Sequence, residues 1–148
     1  MTEIDELKAP AYFLAGVSVY SAVRLGVVHG LSLERPDAIL VDASKRCERW
    51  IGDYITYPQH RNVSEPVLRS LLAGAVSRRK AGAHDPDWDA ALRRLESDRG
   101  MFKLGADAQK FCRDNWSKIC LVAGTLQIDK VIPAPSLRRM LGLQELAA

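Results

Sequence analysis

Two histidines and an aspartate are the residues of this sequence whose types could hold a metal ion. His84 and Asp85 are adjacent, and His60 lies upstream in the loop-like stretch from Tyr57 to Asn62. Imidazole nitrogens and carboxylate oxygens are common ligands of catalytic metal ions, which activate a bound water for hydrolysis. A hydrolytic metal site is therefore the first chemistry to weigh.

The pair His84-Asp85, with His60 upstream, resembles the ligand set of the HD-type metal-dependent phosphohydrolases, an all-α family. In that family the pair continues into a hydrophobic helix, whereas here it lies in a polar loop before Pro86. An aspartate followed by a proline is typical of a helix N-cap and first turn. We therefore predict a helix start with no metal and no cofactor, and an HD-like phosphohydrolase is the third alternative.

Other signs of catalysis are weak. The sequence has no Gly-rich phosphate loop, no GxSxG, no HExxH and no CxxC. His29 has no carboxylate or nucleophile placed near it by the sequence, which favours a structural, hydrogen-bonded histidine. Cys47 lies beside Arg46 and near Arg49, which could lower its thiol pKa, but its apolar register predicts burial. We predict that the protein is not an enzyme.

The cysteines and the first residues indicate the compartment. Cys47, Cys112 and Cys120 cannot all pair, and on one helix the last two would have Cα atoms about 12 Å apart, too far for a disulfide. Free thiols are typical of a reducing cytoplasm. The opening residues MTEIDELKAP carry acids where a secretory signal carries basic residues. We therefore expect a cytoplasmic protein.

Aromatic residues predict a protein-binding surface. Trp50, Tyr54 and Tyr57 are spaced by three or four residues, and His60 and Arg61 follow them. Tryptophan, tyrosine and arginine are the side chains that most often form interface hot spots. The alternative is that they fill the core, which we expect for Trp50, with Tyr57 the more exposed. A protein partner that binds these five residues is our first prediction.

Basic residues predict a nucleic-acid surface as the second alternative. Residues 1–60 carry 6 basic and 8 acidic side chains, whereas residues 61–148 carry 15 and 10, a net charge of +5. Clustered cations neutralise phosphates and release counterions, although cations at helix ends also interact with the helix dipole alone. The candidate contacts are Arg78, Arg79, Lys80, Arg93, Arg94, Lys110, Arg113, Arg138 and Arg139.

The most apolar stretch, residues 11–31, must position these side chains. Arg24 and His29 interrupt it, so it is too short to span a membrane, and no membrane partner is expected. The pattern favours a core helix, with a β-strand as the open alternative because of its many valines. A track of small residues along this helix predicts close helix packing, either within one chain or between copies in a homo-oligomer; its members are Ala15, Val19, Ala22, Gly26 and Gly30.

The remaining sequence predicts further helices. Apolar residues recur every three or four positions from Pro36 to Ile55, and again from about Val67 to Val76, from Trp88 to Leu95 and from Asp107 to Gly124. Residues 125–135 are predicted to be an extended connection, and Ser136 to cap a last helix. No pair of strands is evident. We predict an all-α fold in which residues 1–148 form a single-domain, irregular bundle of about five to six helices.

Together these patterns predict a non-enzymatic protein-binding module. An adaptor, an antitoxin or immunity-type regulator, and a small subunit of a larger complex all fit a helical domain of this size. Binding of nucleic acid through the basic C-terminal half is the alternative, and an HD-like hydrolase comes third.

Overall fold

The computed structural model describes residues 3–83, 86–98 and 101–143, with the side chains of residues 3–5 and 60–64 left out. Seven α-helices occur within these ranges, one or two more than the sequence predicts, and the all-α class is confirmed. They are α1 (Glu3–Tyr20), α2 (Pro36–Thr56), α3 (Arg61–Lys80), α4 (Pro86–Ser97), α5 (Phe102–Asp114), α6 (Trp116–Asp129) and α7 (Ala134–Met140).

The helix predicted over residues 11–31 ends earlier than expected. After α1 the chain makes a π-helical turn, Ser21–Leu25, and Gly26 ends it in the left-handed region with φ 69°. Glycine suits this position because it has no Cβ to clash. His29 is therefore an exposed loop residue and not the edge of a core helix, and Gly30 lies outside the helix as well.

A second difference is the break between α5 and α6 at Asn115. The Asn115 side chain donates a hydrogen bond to the carbonyl oxygen of Phe111 at 3.0 Å, which competes with regular helix geometry. The single helix predicted over 107–124 is thus two helices, with Cys112 on α5 and Cys120 on α6. The second of them continues to Asp129, through half of the predicted extended connection.

A short antiparallel strand pair joins the segment that follows the π-helical turn to the segment that follows α6. It joins β1 (Leu31–Ser32) to β2 (Val131–Ile132), with Leu31 opposite Ile132. The Leu33 amide adds a hydrogen bond to the carbonyl oxygen of Lys130 at 2.7 Å. Strands of two residues are too short to show an alternating pattern, so the sequence does not predict them.

Two clusters of buried side chains form the core. The first joins α1 to α6 and α7, and includes Val19, Ile119 and Leu137. The second joins α2 to α4 and the start of α5. Helices α1 and α3 contribute to both clusters. Val19 of α1 and Ala73 of α3 belong to the first cluster, and Phe13 of α1 and Leu72 of α3 belong to the second. These two central helices hold the outer ones in place.

Two glycines set the close contact between α1 and α3. A Cβ at Gly16 would lie 2.5 Å from the Ala73 carbonyl oxygen, and one at Gly74 would lie 2.7 Å from the Phe13 ring. The predicted close packing of small residues therefore occurs within one chain, but through Gly16 rather than through Gly26 or Gly30.

None of the helices in the described part of the chain is both long enough and apolar enough to cross a membrane.

Candidate functional site

The predicted aromatic surface is divided between the core and the exterior. Tyr54 is buried in the second core cluster, Trp50 is half-buried against it, and Tyr57 is exposed. Tyr54 is buried because it continues the α2 stripe of Cys47 and Ile51 at helical spacing. It therefore presents no binding surface, which corrects the prediction for this residue. The side chains of His60 and Arg61 lie outside the described part of the structure.

Arg78 is a structural residue and not a phosphate contact. Its side chain is packed inside the protein, with 4% of the residue exposed. The Nε atom donates to the carbonyl oxygen of Ala83 at 3.2 Å, and the guanidinium carbon lies 5.6 Å from the centre of the Trp88 ring. The prediction that Arg78 contacts nucleic acid is corrected, because these contacts keep its charge inside the fold.

Three of the predicted cations come together at one cleft. Arg79 and Lys80, at the end of α3, line it together with Arg113 from the last turn of α5, and its volume is about 520 Å³. The side chains that complete the lining are Val76, Leu92, Glu96 and Gln109. We call this site the basic cleft. Arg113 is more than thirty positions from Arg79 and Lys80 in sequence, so the packing of the fold brings these cations together.

Contacts at the basic cleft restrain some of its charged groups more than others. Arg79 Nε lies 3.9 Å from the Asp89 carboxylate, and Gln109 Nε2 donates to Glu96 Oε1 at 2.8 Å. Lys80 Nζ lies 5.1 Å from the centre of the Trp116 ring, within cation–π distance. Within the described part of the chain, neither Lys80 nor Arg113 forms an ion pair.

The other predicted cations lie elsewhere. Lys110 lines a smaller hollow of about 230 Å³ beside Arg69, whose charge is already paired with Glu65 at 2.7 Å and Asp107 at 3.2 Å. Arg94 lines a third hollow, with Glu48 and Asp87. Arg93 is exposed on α4, and α7 carries a half-buried Arg138 and an exposed Arg139. The cations thus divide among several surfaces of the described structure.

The outer face of α6 is a surface that sequence reasoning missed. Leu121 is 50% exposed and Ile128 is 82% exposed, and with Gly124 and Thr125 they follow the spacing of one helix face. A Cβ at Gly124 would meet no atom within 4 Å. The signal in the sequence is that Leu121 and Ile128 lie outside the stripe of buried residues with which α6 fills the core. We call Leu121, Gly124, Thr125 and Ile128 the α6 outer face.

Two of the three thiols, those of Cys47 and Cys112, are buried. Burial, helped by the nearby Glu48 carboxylate, raises the pKa of the Cys47 thiol to about 12, so the neighbouring arginines do not activate it. Arg46 instead pairs with Asp42 at 3.0 Å. Burial also raises the pKa of the Cys112 thiol, which donates a hydrogen bond to the Ala73 carbonyl oxygen. Both thiols are therefore protonated at neutral pH.

Metal binding was also predicted to be absent. Among the residues that the structure describes, no group of three histidine, cysteine or acidic side chains could hold a metal ion. His84 and Asp85, the pair that resembles the HD-type ligands, lie outside those residues.

Neither family models, nor curated proteins, nor solved structures match this chain. The two described surfaces, the basic cleft and the α6 outer face, therefore carry the functional argument by themselves.

Proposed function

We propose that this protein is a non-catalytic protein-binding module that assembles through the α6 outer face, and that its partner there is a second copy of the chain. The observation that supports the proposal is the 82% exposure of Ile128 on a helix that is already fully packed on its opposite side. A small subunit of a larger assembly, one of the three classes that the sequence predicts, is the class this proposal favours.

Burial of the α6 outer face would supply a favourable free energy. Full burial of a leucine or isoleucine side chain contributes about 1.5–3 kcal/mol. Single exposed apolar residues are common in folded proteins, but Leu121 and Ile128 share one face, and the exposed Val131 follows them in β2. Large apolar residues that share an exposed helix face favour contact with another apolar surface.

Charge at the two ends of the α6 outer face favours a second copy as the partner. Lys118 lies near the start of α6 and Asp129 at its end, and both are exposed. In an antiparallel, two-fold pairing, Lys118 of one copy meets Asp129 of the other. The helices then cross beside Gly124, where the absence of a side chain permits a close approach. Opposite charges at the two ends of α6 thus support pairing with a second copy.

Sedimentation velocity over a range of concentrations tests the proposal. We expect the native chain to form a dimer at micromolar concentration, and Leu121→Glu and Ile128→Glu to be monomers. Val41→Glu is the matched control, because Val41 is 54% exposed on α2, away from α6. Circular dichroism verifies that each variant is folded. A native chain that stays monomeric at about 100 µM, or a Val41→Glu variant that dissociates equally, would overturn the proposal.

A charge exchange tests the antiparallel geometry separately. We expect Lys118→Glu and Asp129→Lys each to weaken the dimer, because each places like charges together. The double variant restores opposite charges across the pair, so its dimer should be as stable as the native one. Additive weakening in the double variant would exclude this arrangement.

A further inference from the structure

The basic cleft has the size and the charge of a small-ligand site. Its volume of about 520 Å³ falls within the range of about 300–1,000 Å³ that is usual for small-molecule pockets. Lys80 and Arg113 are the cations available in it, since Arg79 already faces Asp89. Together these side chains favour an anion with several acceptor oxygens, and a guanidinium beside an ammonium group suits phosphate in particular.

The rest of the lining suits an organic body attached to that anion. The half-buried Val76 supplies apolar surface, while Leu92 lies beneath it in the core, and the hydrogen-bonded pair of Gln109 and Glu96 supplies an amide and a carboxylate at the same cleft. An inorganic anion would use the cations alone. A flat heterocycle with polar edges would also use the apolar surface and the polar pair.

The negative groups at the cleft limit the charge that it can accept. Glu96 lines it and Asp89 lies beside Arg79, so two carboxylates accompany the three cations. This modest excess of positive charge suits a single phosphate better than a long polyanion. The remaining predicted cations do not line the cleft, and Arg78 is buried, so the lining provides no track for an extended strand.

We infer that the basic cleft binds a small organic phosphate of mononucleotide size. Lys80 and Arg113 hold the phosphate, Val76 supports the heterocycle, and Gln109 with Glu96 contacts its polar edge. This site is separate from the α6 outer face and does not depend on dimer formation.

Calorimetric titration with adenosine monophosphate at low salt tests the inference. We expect measurable binding that weakens with added salt, and weaker binding of adenosine and of inorganic phosphate, each of which has only half of the contacts. Arg113→Gln should weaken binding at least tenfold. Lys110→Gln is the matched control, because Lys110 lies on the same helix but lines the other hollow, and it should change the affinity less than twofold.

Three results would overturn the inference. The first is no binding of adenosine monophosphate at millimolar concentration, and the second is an equal effect of the two α5 substitutions. The third comes from a single-stranded oligonucleotide of twelve residues. If it binds far more tightly than the mononucleotide, and Arg139→Gln on α7 weakens that binding as much as Arg113→Gln does, the ligand is a nucleic acid on a wider surface.

Discussion

Helices α1 and α6 both contain a long apolar run but differ in their surroundings. Their charged residues lie near the helix ends, between Glu3 and Lys8 in α1 and at Lys118 and Asp129 in α6. Helix α1 packs against α3 and α6, and its Ala11, Ala15 and Val19 are fully buried. Helix α6 buries Ile119 and Leu126 against α1 but leaves Leu121 and Ile128 exposed. Apolar character shows that a helix can be enclosed, and only the packing shows whether the chain itself encloses it.

The close contact with α3 explains why α1 is the enclosed one. Gly16 and Gly74 allow the two backbones to approach until a Cβ would clash. Gly124 on α6 has the same residue type but faces open space. Replacement of glycine by alanine should therefore destabilise the protein at Gly16 and stabilise it at Gly124.

The largest expected effect separates the two faces of α6. Leu126→Ala removes a fully buried side chain from the first core cluster, and such substitutions cost about 2–5 kcal/mol in the free energy of unfolding. Leu121→Ala on the α6 outer face should change it by less than about 0.5 kcal/mol. Urea denaturation of the two variants, at a protein concentration low enough to keep the chain monomeric, measures both changes in the free energy of unfolding. Equal decreases would mean that the α6 outer face is already buried within the monomer.

The next effect compares the two helices by glycine replacement. Gly16→Ala forces a Cβ against the Ala73 carbonyl oxygen, and overpacking of this kind costs about 1–3 kcal/mol. Gly124→Ala meets no atom and removes a flexible residue from a helix interior, so the monomer should gain about 1 kcal/mol at most. Thermal unfolding of both variants shows whether each substitution raises or lowers the stability. If Gly16→Ala were the stabilising one, the close contact of α1 with α3 would be refuted.

The smallest effect concerns the contact of α1 with α6. The Tyr12 ring stacks on Trp116, with 5.6 Å between the ring centres, and its hydroxyl donates to Cys120 Sγ at 3.9 Å. Desolvation by burial is the main cause that raises the pKa of Tyr12 above its ordinary value of 10.0, and Cys120 adds to the rise. Tyr12→Phe keeps the ring and should cost less than about 1 kcal/mol at pH 7.

The raised pKa of Tyr12 also predicts a pH dependence with a definite sign. The folded protein favours the neutral phenol, so this contribution to stability is complete below pH 10 and is lost as the pH rises through the raised pKa. Native protein should therefore lose more stability above pH 10 than Tyr12→Phe does. Denaturation curves of both proteins at pH 8 and pH 10.5 measure the decrease in the free energy of unfolding. Equal decreases in the two proteins would show that Tyr12 does not contribute to the pH dependence.

The elements that the sequence predicted well are those with a clear periodic contrast. Helix α2 begins at Pro36 as expected and ends one residue past the predicted Ile55, and α4 begins at Pro86. Helices α1 and α6 have only a weak periodic contrast between polar and apolar residues, so the pattern does not mark where each helix ends. Their limits depend instead on single residues, Gly26 and Asn115, whose backbone geometry an apolar pattern does not reveal.

The candidate surfaces were predictable only in part. Arg79, Lys80 and Arg113 were recognised as cations, but their meeting in one cleft depends on the packing of α3 against α5. Tyr54 and Tyr57 are three residues apart and have the same chemistry, but α2 ends at Thr56, so Tyr54 is a core residue within the helix and Tyr57 is an exposed residue after it. The α6 outer face was not predictable, because the sequence does not show which side of α6 is covered by α1.

The pairing of β1 with β2 has a consequence for the order of events on the ribosome. Leu31 meets Ile132, about one hundred residues later, and elongation at about 5–20 residues per second separates their synthesis by roughly 5–20 seconds. Helix α3 emerges in time to cover one side of α1. The side of α1 that α6 covers stays exposed until most of the chain has been synthesised. The nascent polypeptide therefore exposes an apolar surface of the kind that ribosome-associated chaperones bind.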